Sequence, residues 1–215
     1  MMKEIAETLE RGEDDRIAGL VRDALGRQES PVAILNDGLL AGMHVVGERF
    51  RVREIFLPDV LLAAKTMYAG LDVLKPLLAR EGLPTAGRIV IGTVKGDLHD
   101  IGKNLVGIML EGAGFEVIDL GSDVAPEQFV ETAAERGASI IGLSALLTTT
   151  MTVMKDVVAL LSKRGLREQV RVIVGGAPVS EAWAREIGAD GYGYDAANAV
   201  ERVKALMVRV PAATA

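Results

Sequence analysis

Apolar residues recur at helical spacing through the first third of the chain, then shift to short β-branched runs separated by helical stretches. Ile5 and Leu9 suit a first helix, and Ile17, Leu20, Val21, Ala24 and Leu25 suit a second that begins near Asp14 or Asp15. Ser30-Pro31 reads as an N-cap followed by proline at the first helical position. It opens a third helix with Leu35, Leu39, Met43, Val46 and Phe50 on one face. Pro58 opens a fourth, with Leu61, Ala64, Met67, Leu71 and Leu74 in register, and Pro76 is expected to bend or end it. Four amphipathic helices joined by short links predict a bundle over residues 1–82. Glu81 to Gly87 reads as the linker, because its glycines and proline break the helical pattern.

After the linker the period alternates. The pattern predicts strands over 88–94, 115–120, 139–144, 170–174 and 190–194, and helices over 103–113, 126–136, 149–163, 179–187 and 196–208. Five strands alternating with five helices specify an α/β domain over 88–215, a doubly wound five-stranded parallel sheet of flavodoxin-like or Rossmann-like kind. In flavodoxin-like order the carboxyl ends of strands one, three and four lie side by side and form the crevice where such sheets bind ligands.

Composition narrows the chemistry. The 215 residues are 49% hydrophobic and 25% charged, the balance of a globular chain with a real core. Cysteine is absent, which excludes disulfides, thiolate catalysis and cysteine-held metal clusters, and the only imidazoles are His44 and His99. The formal net charge of −6, with no basic patch, argues against a nucleic-acid partner. The apolar runs fall short of a membrane span and Met1-Met-Lys-Glu-Ile lacks the core of a signal peptide, so a cytoplasmic place and no membrane partner are expected. Neither a nucleophile–base pair for acyl transfer nor a Gly-x-x-x-x-Gly-Lys phosphate loop is present.

The stretch with most chemistry is Gly96-Asp97-Leu98-His99-Asp100-Ile101-Gly102, placed between the first strand and the next helix. A metal-ligating imidazole is neutral at its bonding nitrogen, and its other nitrogen usually donates to a carboxylate or carbonyl. Asp97, two residues upstream, can serve in that way. On its own the tripeptide reads equally well as a solvated loop that caps a helix. His44 reads as a residue of a helix face.

Gly96-Asp-Leu-His-Asp-Ile-Gly-Lys-Asn104 resembles the Asp-x-His-x-x-Gly signature of corrinoid-binding domains, in which the histidine replaces the dimethylbenzimidazole base as lower cobalt ligand. Two later segments agree in order: Leu143-Ser-Ala-Leu-Leu-Thr-Thr-Thr150 resembles the family's Ser-x-Leu segment, and Val174-Gly-Gly-Ala177 its Gly-Gly segment. Gly42-Met-His-Val-Val-Gly-Glu-Arg-Phe50, followed by Ile55-Phe-Leu-Pro58, is similar to the Gly-Met-x-x-Val-Gly and Phe-Leu-Pro pattern of the helical region in the same proteins. The whole chain is similar to corrinoid proteins of methanol, methylamine and methoxyarene methyltransferase systems and to the cobalamin region of methionine synthase.

The resemblance implies a cobalamin or related corrinoid bound base-off and histidine-on, with His99 on cobalt and methylcobalamin as the loaded form. It implies contacts from Asp97, Asp100, Ile101 and Gly102, and a pocket for the nucleotide tail at Ser144, Leu146, Thr148, Gly175, Gly176, Tyr192 and Ala196. Thr150 falls where the family often has a serine in relay with the aspartate and histidine. Phe56 and Leu57 are expected to contact the upper face from the helical cap. The implied activity is carriage of a methyl group between a substrate-specific methyltransferase and an acceptor methyltransferase using tetrahydrofolate or a thiol, with a reductive activase as further partner and no catalysis by the chain alone. Two alternatives stand beside it: the small cobalamin-binding subunit of a carbon-skeleton mutase, which shares the loop and against which the helical region argues, and a cobalamin sensor or regulator, for which no DNA-binding or output segment is visible.

Overall fold

The structure, a computed structural model, describes residues 1–81 and 86–207, and leaves the side chains of residues 75 and 79–81 undescribed. The linker residues 82–85 and the expected last helical residue, Val208, lie outside the described residues. The chain forms two compact units, one built from the helices that precede the linker together with Gly112–Gly114, and the other from the rest of the chain from Ala86 onward.

The first unit contains α1 (Met2–Glu10), α2 (Asp14–Gly26), a long third rod and α5 (Leu57–Glu81). Ile5, Leu9, Ile17, Val21 and Ala24 are fully buried, as the helical spacing predicts. Ser30 caps the third rod, its hydroxyl accepting from the Ala33 amide at 3.0 Å, with Pro31 at the first turn. That rod is not uniformly α-helical: α3 (Pro31–Ala33) passes into a π-helical segment (Ile34–Leu40) and then α4 (Ala41–Arg51). In a π-helix the hydrogen bonds run to i+5, and Ile34 and Leu39, five apart, are both fully buried. The expected face is corrected accordingly: Leu35 and Phe50 are half-buried, and Ile34 takes the core position. On α5 the buried residues include Val60, Ala63, Ala64, Thr66, Met67, Gly70, Leu74 and Leu78, while Leu61 is half-exposed. Pro76 does not end α5, which runs on to Glu81. Helix α5 starts one residue before Pro58, with the Asp59 carboxylate accepting from the Phe56 amide at 2.8 Å.

The second unit is a five-stranded sheet, β1 (Arg88–Thr93), β2 (Glu116–Asp119), β3 (Ile140–Ser144), β4 (Arg171–Gly175) and β5 (Gly191–Gly193), in the order β2-β1-β3-β4-β5 with every pair parallel. This is the predicted flavodoxin-like order. Both faces of β1 are buried along most of its length, as a sheet flanked by helices on each side requires. Val90, Ile141, Leu143, Val172 and Val174 pack on Phe129 and Val130 of α7 (Pro126–Arg136), Met154, Val157 and Leu161 of α8 (Val153–Lys163), and Ala184 of α9 (Glu181–Glu186). At the amino end of β4 the Asp190 carboxylate accepts from the Val172 amide at 2.7 Å and pairs with Arg167 at 2.8 Å and Arg171 at 3.3 Å. The opposite, carboxyl edge is left for the loops.

Several boundaries move for reasons that bear on that edge. Helix α6 (Ile101–Gly112) begins at Ile101, so Ile101 and Gly102 form its first turn; the Asp100 carbonyl accepts from the Asn104 amide at 2.7 Å. Helix α8 begins at Val153, not 149, because residues 145–152 are held in turns. Helix α9 is shorter than expected, capped by the Ser180 hydroxyl on the Trp183 amide at 3.2 Å. Helix α10 (Ala196–Met207) starts where predicted, with Asp195 capping the Asn198 amide at 2.8 Å.

Candidate functional site

The β1–α6 loop places His99 at the carboxyl edge of the sheet and ties its main chain inward. Thr93, fully buried at the end of β1, donates its hydroxyl to the His99 carbonyl at 3.0 Å. Gly96 turns the loop at φ +83°, a conformation that glycine adopts without strain. The Asp97 side chain is completely buried and the His99 side chain is 53% exposed, so the pair runs from the interior to the surface. Oδ1 of Asp97 lies 2.7 Å from Nδ1 of His99 and accepts the His99 amide at 3.1 Å. Oδ2 accepts from the Leu146 amide at 2.8 Å, the Leu147 amide at 3.2 Å and the Thr150 hydroxyl at 2.7 Å. One carboxylate thus joins the loop after β1 to the loop after β3.

Burial alone would raise the Asp97 carboxyl; hydrogen bonds from Thr150, the Leu146 amide and His99 outweigh it and hold the group well below the usual carboxylate range. An ionised carboxylate only accepts, so Nδ1 of His99 carries the proton and Nε2 is the nitrogen left for a ligand. The two loops that Asp97 joins also expose apolar side chains. Leu98 and Ile101 are 74% and 72% exposed, with Leu146 and Leu147 half-exposed across the edge. No neighbour lies within 4 Å of where a Cβ on Gly102 would stand.

Further along the edge, Thr93, Ser144 and Gly175 are register partners across β1, β3 and β4, and Gly193 of β5 continues the row. A Cβ on Gly176 would stand 1.8 Å from the Ala145 carbonyl oxygen, so only glycine fits that turn at φ +119°.

A B12-binding domain model matches residues 87–201, and a second B12-binding model matches residues 1–75. A corrinoid protein of Desulfitobacterium hafniense (strain Y51) is 45% identical over 204 residues, 94% of each chain. This chain belongs to the family of B12-binding corrinoid proteins. The dimethylamine corrinoid protein 2 of Methanosarcina acetivorans is 46% identical over 209 residues, 97% of this chain and 96% of that protein. A chain in the crystal structure of the methanol:cobalamin methyltransferase complex of Methanosarcina barkeri superposes with a TM-score of 0.87 at 31% identity, covering 95% of this chain and 78% of that one.

The site of this corrinoid protein fits such a group on its own chemistry. Among the described residues no cluster of three or more His, Asp or Glu could hold a bare metal ion. A single oriented imidazole set in an apolar rim suits instead a metal that brings its equatorial ligands with it. No described helix is long and apolar enough to cross a membrane. Of the residues singled out from sequence, the structure joins Asp97, His99 and Thr150 directly and brings Leu146 to them through its amide. Ile101 and Gly102 lie on the same exposed turn, with Asp100 preceding it. Ser144, Gly175 and Gly176 share the carboxyl edge with half-buried Tyr192, the register partner of Val174, while Thr148 is exposed and Ala196 is buried in α10. Phe56, 68% exposed, and Leu57, half-buried, belong to the helical unit, as does the exposed His44. Leu98 and Leu147 were missed, although an apolar residue between Asp97 and His99 in a polar loop is a readable signal. The amides of Leu146 and Leu147 leave no such trace.

Proposed function

We propose that this chain is a methyl carrier: it holds a corrinoid base-off, with His99 Nε2 as lower axial ligand, and serves methyltransferases that act on either side of the transfer. The observation that supports this best is the Thr150–Asp97–His99 chain of hydrogen bonds, which ends in an exposed imidazole on an apolar rim. When bound, the corrinoid supplies a cobalt that takes a methyl group from one partner and yields it to another. The chain's own residues orient and shield. Asp97 fixes the tautomer of His99 and the orientation of its ring, leaving Nε2 for the ligand. Leu98, Ile101 and Leu147, exposed on the two loops that Asp97 joins, would shield the bound group from water, with Asp100 and Gly102 beside them. Ser144, Leu146, Thr148, Gly175, Gly176, Tyr192 and Ala196 receive the displaced nucleotide tail, and Gly176 lets it approach the backbone.

In this reading residues 1–82 form a cap domain that offers Phe56 and Leu57 to the upper face, and residues 88–215 form the corrinoid domain. The partners are a substrate-specific methyltransferase, an acceptor methyltransferase using tetrahydrofolate or a thiol, and a reductive activase; the chain alone catalyses nothing. The test is to load the chain with methylcobalamin and follow demethylation by absorbance with a thiol, with and without an acceptor methyltransferase. Demethylation only when the acceptor enzyme is present supports the carrier role. Turnover by the chain with thiol alone would contradict it.

A further inference from the structure

A second set of contacts reaches the His99 loop from the β2 side, and the corrinoid reading makes no use of it. Asp123 sits in the β2–α7 loop at φ +58°, a left-handed conformation that is strained for a non-glycine residue. Its amide donates to the Asp97 carbonyl at 3.0 Å, and its Oδ1 accepts from the Gly96 amide at 2.7 Å. One residue therefore grips the Gly96–Asp97 segment at both ends. The β2–α7 loop is itself fastened to β1, the Thr93 amide donating to the Gly121 carbonyl at 2.9 Å and Val94 bridging Val124. Asp119, at the end of β2, pairs with Lys103 in the first turn of α6 and caps the Gly121 amide at 2.8 Å. Lys103 is 3% exposed in its side chain and stands where a helix N-terminus disfavours a cation, so the pairing is needed to keep it there.

We propose that Asp123 is a positioning residue for His99, acting through Gly96 and Asp97. The Asp97 carboxylate is drawn toward β3 by three donors, Leu146, Leu147 and Thr150, yet its other oxygen must stay within hydrogen-bond reach of Nδ1. That demands an opposing anchor on the main chain leading into Asp97, and the Asp123 carboxylate supplies it from the β2 side at the Gly96 amide. With the anchor removed, Asp97 keeps its buried partners and gives up the half-exposed imidazole, whose tautomer is then free to change. The consequence for cofactor retention rests on the proposed function; the orientation of His99 is a property of the free chain.

Two variants separate positioning from mere folding. Asp123→Gly accepts the left-handed backbone and keeps the amide, but removes the carboxylate. Asp123→Asn keeps an acceptor and tolerates the same conformation. In the cofactor-free chain, long-range proton–nitrogen spectra at alkaline pH, with His44→Gln for assignment, are expected to show one His99 tautomer in wild type and Asp123→Asn. Asp123→Gly is expected to show a mixture, with a melting temperature within a few degrees of wild type because relief of strain offsets the lost bond. After reconstitution, Asp123→Gly is expected to hold hydroxocobalamin about tenfold less tightly, the low end for outer partners of a metal-ligating histidine, and Asp123→Asn to match wild type. A single tautomer with wild-type retention in Asp123→Gly would overturn the inference, as would equal losses in both variants. If wild type itself retains no hydroxocobalamin, the corrinoid reading fails, while the tautomer comparison still decides the role of Asp123.

Discussion

At the scale of single residues the site depends on one buried carboxylate with five hydrogen-bonding contacts. Replacing Asp97 by Ala takes the acceptor from the part-buried Leu146 and Leu147 amides, each such orphan costing about 1–3 kcal/mol, while the Thr150 hydroxyl keeps the Leu147 carbonyl at 3.1 Å. Asp97→Ala is expected to lower unfolding free energy by on the order of 3 kcal/mol in urea titrations; a loss under about 1 kcal/mol would mean that the loops close without it. The Asp97 carboxyl titrates in the fold below its unfolded value of about 3.9. Its stabilisation is therefore complete above that value and is lost as pH falls through the lower folded value. The melting-temperature gap between cofactor-free wild type and Asp97→Asn should stay flat from about pH 8 to pH 5 and narrow below about pH 4. Gly176→Ala meets the Ala145 carbonyl and a backbone that disfavours a side chain. Corrinoid retention is expected to fall with it, and unaltered retention would remove the turn from the site.

At the scale of elements, the start of α5 is set by Asp59, which reaches back to the Phe56 amide and holds the exposed Phe56 in place. Asp59→Ala is expected to cost about 1 kcal/mol by the loss of that cap, measured by thermal unfolding. Elements of this kind were largely legible in the sequence. The β-branched runs marked β1, β3 and β4, and Ser30-Pro31 marked a helix start. The π-helical segment was not, because Leu35 and Ile34 are adjacent aliphatics and only the i+5 hydrogen bonding decides between them. The late start of α8 was hidden for a related reason. Thr148 to Thr150 are plausible helix-starting residues, and what removes them from the helix is Thr150 bonding to Asp97, 53 residues away. Asp97, His99 and Thr150 could be named from their letters; the amides of Leu146 and Leu147 and the left-handed Asp123 could not, since backbone geometry carries no residue signature.

At the scale of the whole molecule, the core cluster that runs from Val90 to Ile187 lies wholly in the second unit, as do buried Ile89, Val203 and Leu206, and the sheet is complete within that unit. A fragment starting at Ala86 is therefore expected to unfold cooperatively in urea, which supports the proposed division into cap and corrinoid domains; a fragment without a transition would contradict it. The net charge of −6 favours basic docking surfaces on partner enzymes, and association rates should fall as salt rises. The central claim, that a corrinoid rests on His99 with its own base displaced, is tested most directly by absorbance. Wild type and His99→Ala are mixed with hydroxocobalamin, freed of unbound cofactor, and their spectra compared. The account predicts corrinoid retained by wild type, with a base-off spectrum that changes when His99 is lost. Identical spectra in the two proteins, or no corrinoid retained by wild type, would contradict it.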